Sequence, residues 1–151
     1  MPQYVLWATV AVTRSSARMN KTYHGSCHCG AVRFECQLDL SAGTSKCNCS
    51  ICAKLRFWKA IVKADSFRLL HGARVLSDYQ FGNHVIHHQF CSRCGIKPFG
   101  HGHHDSLGDF YAINIACLDD VTHQELCEAA INFEDGSNND WSSRPAETRL
   151  L

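Results

Sequence analysis

Seven of the ten cysteines in this 151-residue chain fall into three tight clusters: Cys27-His28-Cys29-Gly30, Cys47-Asn48-Cys49-Ser50-Ile51-Cys52 and Cys91-Ser92-Arg93-Cys94-Gly95. No other feature constrains the fold as much, because sulfurs one or two residues apart must either converge on a common point or stay idle. A disulfide framework is the alternative use of ten cysteines. Two observations oppose it. Cys-x-Cys pairs sit too close for easy bonding to each other, and a chain that is 45% hydrophobic can build a core without covalent staples. Tight knuckles of this kind suit metal chelation, and zinc is the ion that thiolates hold tetrahedrally. Thiols kept for metal imply a reducing compartment, and the cytoplasm is the expected location.

Seven thiols are too many for one closed site and divide naturally in two. A structural zinc takes four thiolates, whereas a catalytic zinc keeps three protein ligands and an open position. Glycines indicate the division. Cys29-Gly30 and Cys94-Gly95 both place a glycine after the second sulfur, where a positive φ turns the chain so that both sulfurs and nearby N–H groups face the metal. Cys27, Cys29, Cys91 and Cys94 are therefore assigned to the structural zinc. That ion would join the start of the fold to its later half and supply folding energy outright.

In the middle cluster Ala53, not glycine, follows the last cysteine. Cys47, Cys49 and Cys52 can cap one face of a tetrahedron, and spacing alone leaves two outcomes for the fourth vertex. Either it is free, or a histidine closes it. His24, His28, His71, His84, His87, His88, His101, His103 and His104 are candidates, and His101-Gly102-His103-His104 is their densest group. Three thiolates leave zinc with a single net negative charge and weak Lewis acidity. Such a centre is better suited to holding an incoming thiol as thiolate than to making hydroxide. Cys36, Cys117 and Cys127 lie on apolar faces and read as small hydrophobes.

The clusters punctuate strand-like runs. Val32, Phe34 and Cys36 alternate with Arg33, Glu35 and Gln37, and Trp58, Ala60 and Val62 alternate with Lys59, Ile61 and Lys63. Residues 75–81 and 85–90 flank Gly82-Asn83 as a hairpin, and 110–116 is rich in aromatic and β-branched residues. Thr122 and Glu125 form a capping box ahead of Leu126, Ala129 and Ala130. The expected class is mainly β: antiparallel sheets, cysteine knuckles on loops, and one short C-terminal helix. Residues 19–133 would form the zinc-binding domain, with 134–151 as an irregular tail and 1–18 as a loosely ordered extension. Tyr4–Val12 is apolar but only nine residues long, too short to span a membrane, and no Lys or Arg precedes it as in a signal peptide. A formal net charge of +1, from 15 basic and 14 acidic residues, excludes the electrostatic footprint of a nucleic-acid or membrane-surface protein. The partner is then a small molecule or a protein.

The run Gly25-Ser-Cys27-His-Cys29-Gly30-Ala-Val-Arg-Phe34, then Cys47-Asn-Cys49-Ser-Ile-Cys52-Ala-Lys54, then His88-Gln-Phe90-Cys91-Ser-Arg-Cys94-Gly95-Ile-Lys-Pro98-Phe99, resembles the glutathione-dependent formaldehyde-activating enzyme family. The resemblance extends over about residues 22 to 130. It implies antiparallel sheets of the Mss4-like type and two zinc ions per chain. The structural zinc would take Cys27, Cys29, Cys91 and Cys94, and the catalytic zinc Cys47, Cys49 and Cys52. The thiol of glutathione would interact with the second site. The implied reaction is reversible addition of glutathione to formaldehyde, a carbon–sulfur lyase chemistry. In that mechanism a histidine is the expected general acid, and Lys54 and Arg56 are candidates to attract substrate carboxylates. The rival class is a zinc-stabilised binding module in which metal only holds the fold.

Overall fold

The computed structural model describes residues 20–151, so the extension expected at 1–18 lies outside the described residues. In chain order the elements are β1 (Lys21–Ser26), β2 (Arg33–Leu38), β3 (Thr44–Cys47), α1 (Ser50–Leu55), β4 (Trp58–Lys63), β5 (Phe67–His71), β6 (Leu76–Tyr79), β7 (His87–Cys91), β8 (Phe99–His104), β9 (Gly108–Asn114), α2 (His123–Glu128) and β10 (Ile131–Glu134). They form a three-stranded sheet, β1-β2-β5, and a seven-stranded sheet ordered β10-β3-β4-β9-β8-β7-β6. The fold is mainly β, as the alternation of residue types requires. Phe34, Cys36 and Leu38 of β2 are buried while Arg33 and Gln37 are exposed, and Ala60 and Val62 of β4 are buried while Ile61 and Lys63 are exposed.

Between the sheets lies an aromatic core. Phe34 and Phe99 meet edge to face at 5.5 Å, and Phe67 stacks on Tyr111 at 3.8 Å. Burying each such side chain is worth roughly 1.5–3 kcal/mol, so β2, β5, β8 and β9 are held together mainly by this cluster. β6 and β7 form the hairpin over Gly82-Asn83, with Leu76 opposite Cys91 and Tyr79 opposite His88. α2 starts with the complete capping box: Thr122 accepts from the Glu125 N–H, and the Glu125 carboxylate accepts from the Thr122 N–H.

β1, β3, β5 and β8 lie outside the runs named from sequence, and two further elements, α1 and β10, differ in kind from what the sequence suggests. A first short helix, α1, carries Cys52 in place of a simple loop; with six residues and only Cys52 buried, it is too short to show a helical period. The last strand, β10, pairs parallel with β3, so the larger sheet is mixed. No helix among the described residues is long and apolar enough to cross a membrane.

Candidate metal centres

The turn after β1 and the turn after β7 bring Cys27, Cys29, Cys91 and Cys94 together, with all four sulfurs within 4.8 Å of one another. Gly30 at φ 72° and Gly95 at φ 76° close the two turns. The Gly30 N–H donates to the Cys27 carbonyl at 2.9 Å, the Gly95 N–H donates to the Cys91 carbonyl at 2.7 Å, and the Val32 N–H points at the Cys27 sulfur at 3.3 Å. Backbone N–H groups, first at Cys29 and then at Ile96, bring the Cys94 thiol down to about 6. The sulfur spacing provides a fit test. Cys27 and Cys29 are 3.6 Å apart and Cys29 and Cys91 are 3.8 Å apart, whereas a tetrahedron with zinc–sulfur bonds of about 2.3 Å has edges of about 3.8 Å. The donor set suits a tetrahedral ion.

The second group, Cys47, Cys49 and Cys52, is made locally. Cys47 ends β3, Cys49 is the N-cap residue of α1, and Cys52 follows in its first turn. The Cys49 N–H points at the Cys47 sulfur at 3.2 Å. Hydrogen bonds from Cys47 and then Cys52 hold the Cys49 thiol far below its ordinary range, with further help from the Cys52 and Ile51 N–H groups. The same exchange with Cys47 and Cys49 pushes the Cys52 thiol up. A thiolate is thus already favoured on Cys49, where first-turn N–H groups converge. Cys47, Cys52, Phe57 and Ala112 form a small apolar cluster of their own, so the Cys47 and Cys52 sulfurs face little water, while Cys49 at its edge is half-buried. Among the described residues no histidine joins either group of sulfurs.

The C-terminal segment walls this second site. Asn48 donates from Nδ2 to Asp135 Oδ1 at 2.7 Å and accepts from the Ser137 N–H at 2.9 Å. Gly136 is buried between Cys47 and Trp141; a Cβ there would lie 2.6 Å from the Cys47 sulfur and 2.7 Å from the indole ring. Lys59 donates to Ser45 and to Glu134, fixing β10 beside β3 and β4.

One of the candidate histidines, His88, is paired with a lysine that the sequence did not single out. Lys97 and His88 are only 7% and 8% exposed. Lys97 Nζ lies 2.9 Å from His88 Nδ1 and 4.1 Å from the centre of the Phe57 ring, which packs with Cys47 and Cys52. Burial lowers Lys97 to about 8, although the Cys52 and Cys49 thiols pull the other way. Burial, then the Lys97 charge, lowers His88 to about 4. At neutral pH Lys97 is therefore the ammonium and His88 the neutral acceptor. The available signal was a lysine within the wholly buried run Lys97–Gly100, but residue type alone does not separate it from a surface lysine.

The other candidates are engaged elsewhere or exposed. His24 pairs with Asp120, His87 pairs with Asp78 and stacks on His101 at 4.2 Å, and His103 pairs with Asp109. His28, His71, His84, His104, Lys54 and Arg56 are exposed. Cys36 and Cys117 are buried free thiols in the core, and Cys127 is exposed.

Residues 22–135 match the family described as glutathione-dependent formaldehyde-activating enzyme. A crystal structure of a Rhodobacter sphaeroides protein is 34% identical with a TM-score of 0.62, covering 72% of this chain and 99% of that one. The chain belongs to the glutathione-dependent formaldehyde-activating enzyme family, whose description names an enzyme, a thiol and an aldehyde.

Proposed function

We propose that this member of the family is a zinc-dependent carbon–sulfur lyase that reversibly joins a small thiol, such as glutathione, to an aldehyde, such as formaldehyde. In this reading Cys47, Cys49 and Cys52 hold a catalytic zinc, while Cys27, Cys29, Cys91 and Cys94 hold a structural one. The observation that carries it is the inequality of the two groups: four converging sulfurs in one, three in the other, with no histidine completing the three among the described residues. Zinc at the three-cysteine site would supply a position for a fourth sulfur and lower the pKa of the thiol that takes it.

The chain's own residues supply the rest. Cys47, Cys49 and Cys52 fix the point at which the thiol reacts. Phe57 and Ala112 keep water from that point, which strengthens electrostatic interactions within it. The tail strapped to Asn48 closes one side, and Trp141, which packs on Gly136 beside the Cys47 sulfur, also lines an open groove of about 470 Å³ with Phe133, Glu134 and Arg144. Lys54 and Arg56, exposed at the end of α1 that carries Cys52, are the cations in this reading that attract the carboxylates of a glutathione-like thiol. In the forward direction sulfur attacks the carbonyl carbon, the C–S bond forms, and the carbonyl oxygen takes a proton. The reverse reaction breaks the same bond and expels aldehyde. Clustered reduced thiols favour the cytoplasm as the site of action.

The test is exchange spectroscopy of glutathione and 13C-formaldehyde with the zinc-loaded protein. An enzyme accelerates interconversion of free aldehyde and S-hydroxymethylglutathione above the uncatalysed rate. An unaltered rate across a series of thiols and aldehydes would leave only a zinc-stabilised binding module.

A further inference from the structure

The addition step needs a group that gives a proton to the new oxygen, and the exposed or engaged histidines provide no buried donor beside the three-cysteine site. Lys97 is differently placed. Its backbone is fixed on three sides: Cys94 lies three residues before it, Pro98 follows it, and its carbonyl accepts from Asn114 Nδ2 at 2.9 Å. From there the side chain runs inward past Gly100, where a Cβ would lie 3.5–3.6 Å from Cε and Nζ and only 2.8 Å from the His87 carbonyl. It ends between the His88 ring and the Phe57 face, Phe57 belonging to the same buried cluster as Cys47 and Cys52, and the Cys52 and Cys49 thiols act on its charge. An ammonium is costly to bury without a compensating negative charge. Among the described residues its side-chain hydrogen-bond partner is a neutral imidazole, so the compensating charge is the thiolate centre, whose Cys52 and Cys49 favour the ammonium.

We propose that Lys97 is a catalytic residue that donates a proton to the oxygen of the thiol–aldehyde adduct, and that His88 is a positioning residue that holds its ammonium; this rests on the thiol–aldehyde reading above. The step balances. The thiolate lone pair forms the C–S bond, the carbonyl π pair moves to oxygen, and an Nζ–H proton passes to that oxygen, leaving the amine of Lys97. The S–H proton of the next thiol restores the ammonium, so one turnover consumes one thiol and one aldehyde with no net proton. In the lyase direction Lys97 acts as the base. The groups that face Lys97 electrostatically are the Cys49 and Cys52 thiols, Lys59 and, through the hydrogen bond, His88, behind which lie Asp78 and His87.

The experiment combines exchange spectroscopy with side-chain NMR on the zinc-loaded full chain. Lys97→Met should retain its metal content and melting temperature while the exchange rate falls about 100-fold, the scale of a positioned acid. The alkaline limb of the wild-type pH profile should vanish with it. His88→Gln, which keeps an acceptor, should fall less and shift that limb. Independently of any variant, the 15Nζ signal of Lys97 should titrate below ordinary lysines and move up when glutathione is added. Wild-type activity with a Lys97→Met variant of near-equal rate and unchanged pH limb would overturn the role of Lys97 alone. A wild-type chain that neither catalyses exchange nor shows the glutathione-induced 15N shift would overturn the thiol–aldehyde reading and this proposal together.

Discussion

Cys27, Cys29, Cys91 and Cys94 come from two turns on different sheets, with Cys29 and Cys91 62 residues apart in sequence. Cys47, Cys49 and Cys52 come from one strand end and one helix turn within six residues. The side chain is the same, but the mechanical consequence is not. An ion held by the first group closes a long loop and clamps β1 to β7, so its binding energy is folding energy. An ion held by the second group closes almost nothing, because its ligands are already local neighbours. It adds little to the fold and is correspondingly free to serve chemistry. Lys97, three residues from Cys94, links the two: it follows the turn that gathers the first sulfurs, and its ammonium packs on Phe57 of the cluster that holds the second.

Substituting one ligand of each group breaks this comparison most sharply. Cys94→Ser should prevent accumulation of folded protein or lower the melting temperature by more than about 15 °C, since structural zinc contributes on the order of 10 kcal/mol. Cys49→Ser should melt within about 5 °C of wild type, a shift of roughly 1 kcal/mol, and have no measurable exchange activity. Thermal melts with parallel metal analysis would show this, and equal damage in both variants would end the division of labour.

A smaller effect is expected at the wall of the second site. Gly136→Ala places a methyl group against the Cys47 sulfur and the Trp141 ring. Overpacking of this kind costs about 1–3 kcal/mol. Metal should leave the second site faster under chelator while the first site holds, as two separable phases of zinc release. Asn48→Ala removes both side-chain bonds to the 135–137 segment, worth about 1–2 kcal/mol together. Faster amide exchange confined to that segment and β10 should follow; exchange spread evenly over both sheets would count against a local wall.

The smallest effect concerns pH. The folded protein holds His88 near 4, below its ordinary 6.5, so the unfolded chain binds the extra proton as pH falls between those values. Stability contributed by neutral His88 is present above about 6.5 and is lost as pH drops through about 4. His88→Gln cannot take that proton. Its denaturation midpoint should decline less steeply than wild type over this window, and parallel curves would contradict the assignment of a neutral His88.

Local signals in the sequence were strong wherever the cause was local. The alternation in β2 and β4, the Thr122–Glu125 capping box and the turn at Gly82-Asn83 each depend on neighbours a few residues away. The glycines after Cys29 and Cys94 likewise mark the two turns whose sulfurs meet. What stayed hidden depends on tertiary contact. α1 offers one buried side chain and no period, β10 is defined by its partner β3, and Gly136 is glycine because Cys47 and Trp141 occupy its side-chain space. Lys97 has the composition of a surface residue and the burial of a core one. Only the convergence of β7, β8 and the Phe57 segment makes the difference.

The central claim, one closed and one open site, is tested most directly by zinc-edge X-ray absorption on the two-zinc protein, without and with glutathione. The account predicts a mixed shell at first, with a light oxygen or nitrogen scatterer at one of the two ions. On addition of the thiol the shell should become all sulfur. A single zinc per chain, or a spectrum indifferent to glutathione, would contradict it.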